Sequence, residues 1–344
     1  MKKISILAGA TALAMLASCG KETINQPENP SGDTVELSLD FPVVINRTKV
    51  PLAADETNAE STVSSIQVMV YNDNGLELSQ TITGTSGSLK VTKGEKKVVA
   101  VANYSGDLSK CSSPETVYAT ATELNENSIG SSPLFVMSGE ADVSVNGATQ
   151  ASISLERIAA KFLIRKISVR LNSAFNESDI VIDRIYIDNA VVKASLGGAK
   201  SPLAVNDFVN QRGGFDSNAG YQPWVTGEYD SWTMSTISGS NEGTKLYSYP
   251  NLTPDTDDVR DKTGAFTVRK TRVVVEATLK GKKTFFPFTF NGPIERNHYY
   301  EITELVITGY GVEHPEDPTP VKGDLSINAI VKPWEQGGST SIEI

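Results

Sequence analysis

Apolar and polar residues alternate through most of this chain from Val35 onward, and a period of two predicts half-buried β-strands. The longest run puts Val35, Leu37, Leu39, Phe41, Val43 and Ile45 on one face and Glu36, Ser38, Asp40, Pro42, Val44 and Asn46 on the other. Ile66, Val68 and Val70 alternate before a turn at Asn72-Asp73-Asn74-Gly75, and Leu76 and Leu78 follow it. Leu89 and Val91 precede a turn at Lys93-Gly94, and residues 98–102 read as a buried strand. Ser113-Pro114-Glu115 has the form of an N-cap, a first-turn proline and a dipole-favoured acid. A short helix is expected there, with Val117, Ala121 and Leu124 on one face. Strands are expected again over 134–137, 141–145 and 152–156.

Beyond Arg157, the alternation of Ile158, Ala160, Phe162 and Ile164 changes phase at Ile167, Val169 and Leu171, which predicts a bulge near Arg165-Lys166. Residues 181–187 form a further strand, whereas 197–265 are rich in Gly, Ser, Asn, Asp and Tyr and read as long loops with few strands. Residues 272–279 and 284–290, about Lys280-Gly281-Lys282, form a hairpin. Residues 298–307 and 325–334 are the last strands, joined by an extended linker over 312–322 that carries Pro315, Pro318 and Pro320. The expected fold is mostly β, with two tandem antiparallel sandwiches over 35–155 and 156–344 and few short helices.

The N-terminus is read as a targeting segment. Lys2 and Lys3 precede a run over 4–17 that is too short to span a bilayer, and Leu16-Ala17-Ser18-Cys19 is similar to a bacterial lipobox. That likeness implies removal of residues 1–18 and a lipid on Cys19; an ordinary cleaved signal is the alternative. Residues 19–34 are polar and read as a tether. Giving Cys19 to a lipid leaves Cys111 without a partner, so no disulfide is expected.

Two terminal strands carry matching stripes. The last places Leu325, Ile327, Ala329 and Val331 on one face with Trp334 beyond, on an arm reaching on the order of 30 Å. Arg47, followed by Thr48, stands directly after the first stripe and suits a trypsin-like protease, with Lys49 a second basic residue nearby. A cut there frees the first strand and leaves an apolar groove with unpaired backbone. A C-terminal strand from another copy can fill that groove, and such head-to-tail contacts build open filaments.

Composition narrows the alternatives. Lys and Arg number 31 against 41 Asp and Glu, a net charge of -10, which opposes nucleic-acid binding. The two histidines, His298 and His314, sit in no metal or triad motif, and no metal, cofactor or catalytic role is assigned. Asp255, Asp257, Asp258 and Asp261 lack EF-hand spacing and read as a solvated loop. Arg157 reads as structural. Tyr221, Trp224, Tyr229, Trp232, Tyr247 and Tyr249 either pack loops onto a sheet or offer stacking faces to a glycan.

Ser154-Leu155-Glu156-Arg157-Ile158-Ala159-Ala160-Lys161, Arg296-Asn297-His298-Tyr299-Tyr300, the lipobox, the stripe ending in Arg47 and the tail closing on Ser341-Ile342-Glu343-Ile344 occur in one order. In these features the chain resembles, over nearly its whole length, the fimbrillins, the type V pilins of Bacteroidales (the FimA/Mfa-like group). The resemblance implies two transthyretin-like β-sandwiches and a lipoprotein precursor carried to the outer membrane. It implies an Arg-specific protease that cuts between Arg47 and Thr48, and a surface fimbria polymerised through residues 323–344. Anchor and tip subunits are the implied accessory partners. The Gly-Lys-Glu after Cys19 departs from an acidic surface-export signal. The alternatives are an anchor or tip subunit, or a surface glycan-binding lipoprotein.

Overall fold

The computed structural model describes residues 33–43, 58–129, 132–210, 229–237, 243–253, 270–290, 292–315, 317 and 325–333. The first half contributes β1 (Thr34–Asp40), β2 (Ser65–Asn72), β3 (Gly75–Thr83), β4 (Ser86–Thr92), β5 (Gly94–Ala102), α1 (Pro114–Ala119) and β6 (Ala121–Glu123). The short β7 (Ser128–Ile129) and β8 (Ser132–Pro133), then β9 (Met137–Val145), β10 (Thr149–Ser152) and β11 (Glu156–Arg157), complete it. The second half opens with β12 (Ala160–Ile164), β13 (Ile167–Val169), β14 (Ile180–Asp188), β15 (Ala190–Val191), β16 (Lys193–Ser195) and β17 (Phe208–Val209). It continues through α2 (Asp230–Thr233), β18 (Met234–Thr236), β19 (Thr244–Ser248), β20 (Arg272–Leu279), β21 (Lys282–Phe288), β22 (His298–Ile307) and β23 (Leu325–Pro333).

Among the described residues, four larger sheets, two in each half, hold most of these strands, and the pairs β15-β17, β16-β6 and β7-β8 form small two-stranded ones. The first half has the orders β10-β1-β4 and β11-β9-β5-β2-β3; the second has β13-β22-β12-β19, with β23 on the other edge of β22, and β18-β14-β20-β21. The apolar faces of the sheets meet in one continuous core, from Leu37, Val68 and Val99 to Phe162, Val275 and Ile302. That gives the mostly-β sandwich architecture expected of the alternation. The halves are also stitched together, since β6 pairs antiparallel with β16 through Ala121↔Ser195 and Glu123↔Lys193.

Local chemistry accounts for the turns. Lys280 and Gly281 both have positive φ, 49° and 75°, the twist that joins β20 to β21 in a two-residue hairpin. Ser113 caps α1 in a capping box with Thr116, and Pro114 sits in its first turn, as expected.

Four expectations need correction. The helix stops at Ala119, because Thr120 is extended and the next residues join β6; Val117 is buried on α1, but Ala121 and Leu124 are not on it. The two strands expected over 134–145 are one, β9, which runs from Met137 because its whole length pairs with β5. The expected bulge at Arg165-Lys166 is absent from the pairing, since β12 and β13 keep one register along β22. The extra residue is Thr303, on β22 opposite β23. Finally, Cys111 is buried and disulfide-bonded. The opposite expectation rested on giving Cys19, the other cysteine and outside the described residues, to a lipid.

One buried ionic cluster braces the β2–β5 region. Glu77, 8% exposed, accepts hydrogen bonds from Lys96 Nζ at 2.6 Å, Thr92 N at 2.6 Å and Asn72 Nδ2 at 2.9 Å. Burial raises the Glu77 carboxyl, but these donors outweigh it and hold it below its ordinary 4.5. The folded state therefore favours the carboxylate. Its stabilisation is complete above the unfolded value and is lost as pH falls through the depressed one. Glu77→Gln, which leaves Lys96 buried without its charge partner, is expected to cost about 3–5 kcal/mol at pH 7 and to flatten the acid limb below about pH 4.5, read by urea unfolding at a series of pH values.

Candidate functional site

The first stripe forms the centre of its sheet rather than an edge. β1 pairs antiparallel with β4 from Thr34↔Thr92 to Asp40↔Ser86, and parallel with β10 from Leu37↔Thr149 to Asp40↔Ser152. The pairing runs past its end: Phe41 N donates to Thr85 O at 2.9 Å, and Ile153 N and Leu155 N donate to Asp40 O and Pro42 O at 2.9 Å. Val43 makes a last bridge to Leu155. Leu37, Leu39 and Phe41 are 0%, 3% and 0% exposed, and Val35 and Val43 pack against the same core half-buried. Glu36 and Asp40 face solvent, and the Ser38 and Ser88 hydroxyls meet at 3.3 Å. Ile45, Arg47 and Thr48 lie outside the described residues, as does Cys19.

The last stripe is an edge. β23 pairs antiparallel with β22 from Leu325↔Ile307 to Pro333↔His298, so in this chain it closes its own sheet. Ala329 is 5% exposed; Leu325, Ile327 and Val331 are placed by this pairing, and Trp334 lies outside the described residues. The linker differs from the free arm expected over 312–322. Val312 exchanges backbone hydrogen bonds with Phe285 at 2.9 and 3.0 Å. The buried Arg272 donates through Nη1 to Pro315 O at 2.8 Å and Asp317 O at 3.0 Å. The arm is thus fixed as far as Asp317, and only residues 318–324 separate that point from β23.

The two motifs noted in the sequence meet each other at the junction of the halves. Arg157 Nη1 donates to Asn297 Oδ1 at 3.3 Å, while Arg296 Nη2 donates to Glu156 O at 2.8 Å and Ser138 Oγ at 3.1 Å. Arg157 is 2% exposed, which supports its reading as structural. Beneath them Glu60, a residue the sequence gave no reason to single out, receives Lys161 and Tyr247. Burial and the adjacent Glu60 carboxylate push the Tyr247 phenol far above its ordinary value.

The aromatic cluster does not form an exposed platform where it is described. Tyr229, Trp232, Tyr247 and Tyr249 are at most 8% exposed. Trp232 and Tyr247 pack on Phe135 with centroids 5.8 and 5.1 Å away, leaving no face for a sugar. Tyr221, Trp224 and the acidic loop at 255–261 lie outside the described residues. Among the described residues no cluster of His, Cys, Asp and Glu is arranged to hold a metal, and no helix is long and apolar enough to cross a membrane.

Residues 34–156 match the family model described as the major fimbrial subunit protein, FimA. A curated relative, the major fimbrium subunit FimA type-3 of Porphyromonas gingivalis, is 25% identical, with 97% of this chain and 98% of the relative covered. The crystal structure of a fimbrilin from Porphyromonas gingivalis W83 superposes with a TM-score of 0.66 over 89% of this chain and 99% of that one, at 16% identity. The tip fimbrial protein Mfa3 from Porphyromonas gingivalis superposes with a TM-score of 0.57 over 88% of this chain and 100% of that one, at 13% identity. The chain is thus similar to the FimA major fimbrial subunit family across its first half, and to a whole FimA subunit along nearly all its length.

Proposed function

We propose that this protein is the shaft subunit of a cell-surface fimbria and that it polymerises by exchanging strands with its neighbours after a cut between Arg47 and Thr48. The observation that carries the reading is the position of β1, near the N-terminus yet bonded on both edges. Withdrawing it leaves β4 and β10 with unpaired edges and uncovers the core beneath Leu37, Leu39 and Phe41. Those three side chains alone represent roughly 5–9 kcal/mol of burial, comparable to the net stability of a whole domain. A cut alone therefore leaves β1 in place, and it departs as another strand arrives.

β23 supplies that strand. It is bonded on one edge among the described residues, so peeling it away breaks one ladder rather than two. The names of the relatives, major fimbrial subunits, support a structural role over an enzymatic one. The striped strand from Leu325 favours a shaft over a tip position, and the buried aromatics argue against a glycan platform. Before the cut, a lipid on Cys19 holds the precursor at the outer membrane.

The N-terminus of protein sheared from cells tests the trigger: Thr48, with a ladder of multimers that collapses on boiling, is the expected result, and lipidated Cys19 with monomer alone removes it. Arg47→Ala is expected to give a lipidated, full-length monomer. Deleting residues 323–344 is expected to give a subunit that is cut but absent from filaments. Normal filaments from either variant, seen by electron microscopy, refute strand exchange.

A further inference from the structure

The first described residues after the proposed cut are held by the wrong half of the molecule. Residues 58–61 form a single 3-10 turn, Asn58–Ser61, just ahead of β2. Glu60 in that turn is 2% exposed, and Lys161, Tyr247 and Arg157, all from position 157 onward, bond it. Lys161 Nζ, itself 3% exposed, lies 2.8 Å from Oε2. The Tyr247 hydroxyl donates to Oε1 at 2.8 Å. Arg157 Nε donates to the Glu60 carbonyl at 2.8 Å, and its Nη2 reaches Ser61 Oγ at 2.9 Å. Asn103 takes up the next residues, donating to Thr62 O at 2.9 Å and accepting from Ser64 N at 2.9 Å.

Burying a carboxylate and an ammonium is costly unless each is fully paired, and a helical turn of four residues gains little by itself. What the cluster does accomplish is mechanical. In the uncut chain, the segment ahead of β2 is secured by the covalent link back to Val43, which is itself bridged to Leu155, by Glu60, and by Asn103 at the strand's start. After a cut at Arg47 the covalent link is gone, and among the described residues the Glu60 cluster is what ties residues 58–61 to the second half. The β10-β1-β4 sheet then also loses the strand that joins its two flanks.

We infer that the Glu60 cluster is the retaining clamp of the cut subunit, with Glu60, Lys161, Arg157 and Tyr247 as positioning residues that keep the root of β2, and the groove beside it, in shape while β1 is exchanged. The inference rests on the strand-exchange reading. It assigns to the junction of the halves a task in assembly beyond joining them. Breaking one partner of a buried ion pair shifts a local opening equilibrium by on the order of a hundredfold. The covalent link in the uncut chain offsets much of this, since a tethered segment recloses at high effective concentration.

The test compares Glu60→Gln in two full-length backgrounds, one carrying Arg47→Ala and one cut with an Arg-specific protease, with the new N-terminus checked by mass spectrometry. The readout is amide hydrogen exchange at Ser64 and Ile66. In the cut chain, Glu60→Gln is expected to speed exchange on the order of a hundredfold, and in the Arg47→Ala chain by under about tenfold. Tyr247→Phe, which keeps the ring contacts with Phe135 and Trp232 and removes one hydrogen bond, is expected to act in the same direction more weakly. Equal acceleration in both backgrounds makes the cluster a plain brace and overturns the clamp, as does no acceleration in the cut chain. A wild-type chain that resists cutting at Arg47 overturns the strand-exchange reading itself and the clamp with it.

Discussion

A strand inside a sheet has two edges, and every amide and carbonyl along both must find a partner. That requirement governs β1. It is short, yet among the described residues it alone links β4 and β10 in its sheet, and its inward side chains are among the most deeply buried of the first half. A strand so placed cannot be lost without replacement. The cost of its absence and the gain on filling its place are the same quantity seen from two sides. A groove with unpaired edges is specific for extended chain, because only a strand satisfies the backbone on both flanks at once.

The second sandwich is organised around a milder version of the same rule. β22 is bonded to β12 and β13 on one side and to β23 on the other, and the extra residue Thr303 interrupts only the β23 side. A bulge shifts the register and bends the strand locally. The join to β23 is thus the less regular of the two edges of β22. The interior edge keeps one uninterrupted register, so the body of the sheet is indifferent to what β23 does.

The striped strand β1 was legible because burial on one face alone leaves a period of two. Leu37, Leu39 and Phe41 are deeply buried while Glu36 and Asp40 face water. The hairpin at Lys280-Gly281 and the cap at Ser113 were equally visible, since turn and cap chemistry is local. What escaped was set by distant partners. Ala121 and Leu124 keep helical spacing with Val117, but Ala121 is drawn into pairing with Ser195, far along the chain. Glu60 and Lys161 look like any surface charges in sequence, and only the fold brings them to 2.8 Å in a dry junction. The aromatic residues after Tyr221 carried two readings, and the core claimed those that the structure describes. Arg272 likewise gave no signal that it would reach forward to the carbonyls of Pro315 and Asp317.

That last contact has a bearing on the dimensions of a fibre. With the arm fixed at Asp317, the seven residues 318–324 reach about 20 Å when extended, well short of the span a wholly loose linker would have. In a filament joined through β23, each subunit must sit almost against the next. The axial repeat and the bending stiffness of the fibre then follow from the length of one short peptide and from a single guanidinium that decides where that peptide begins.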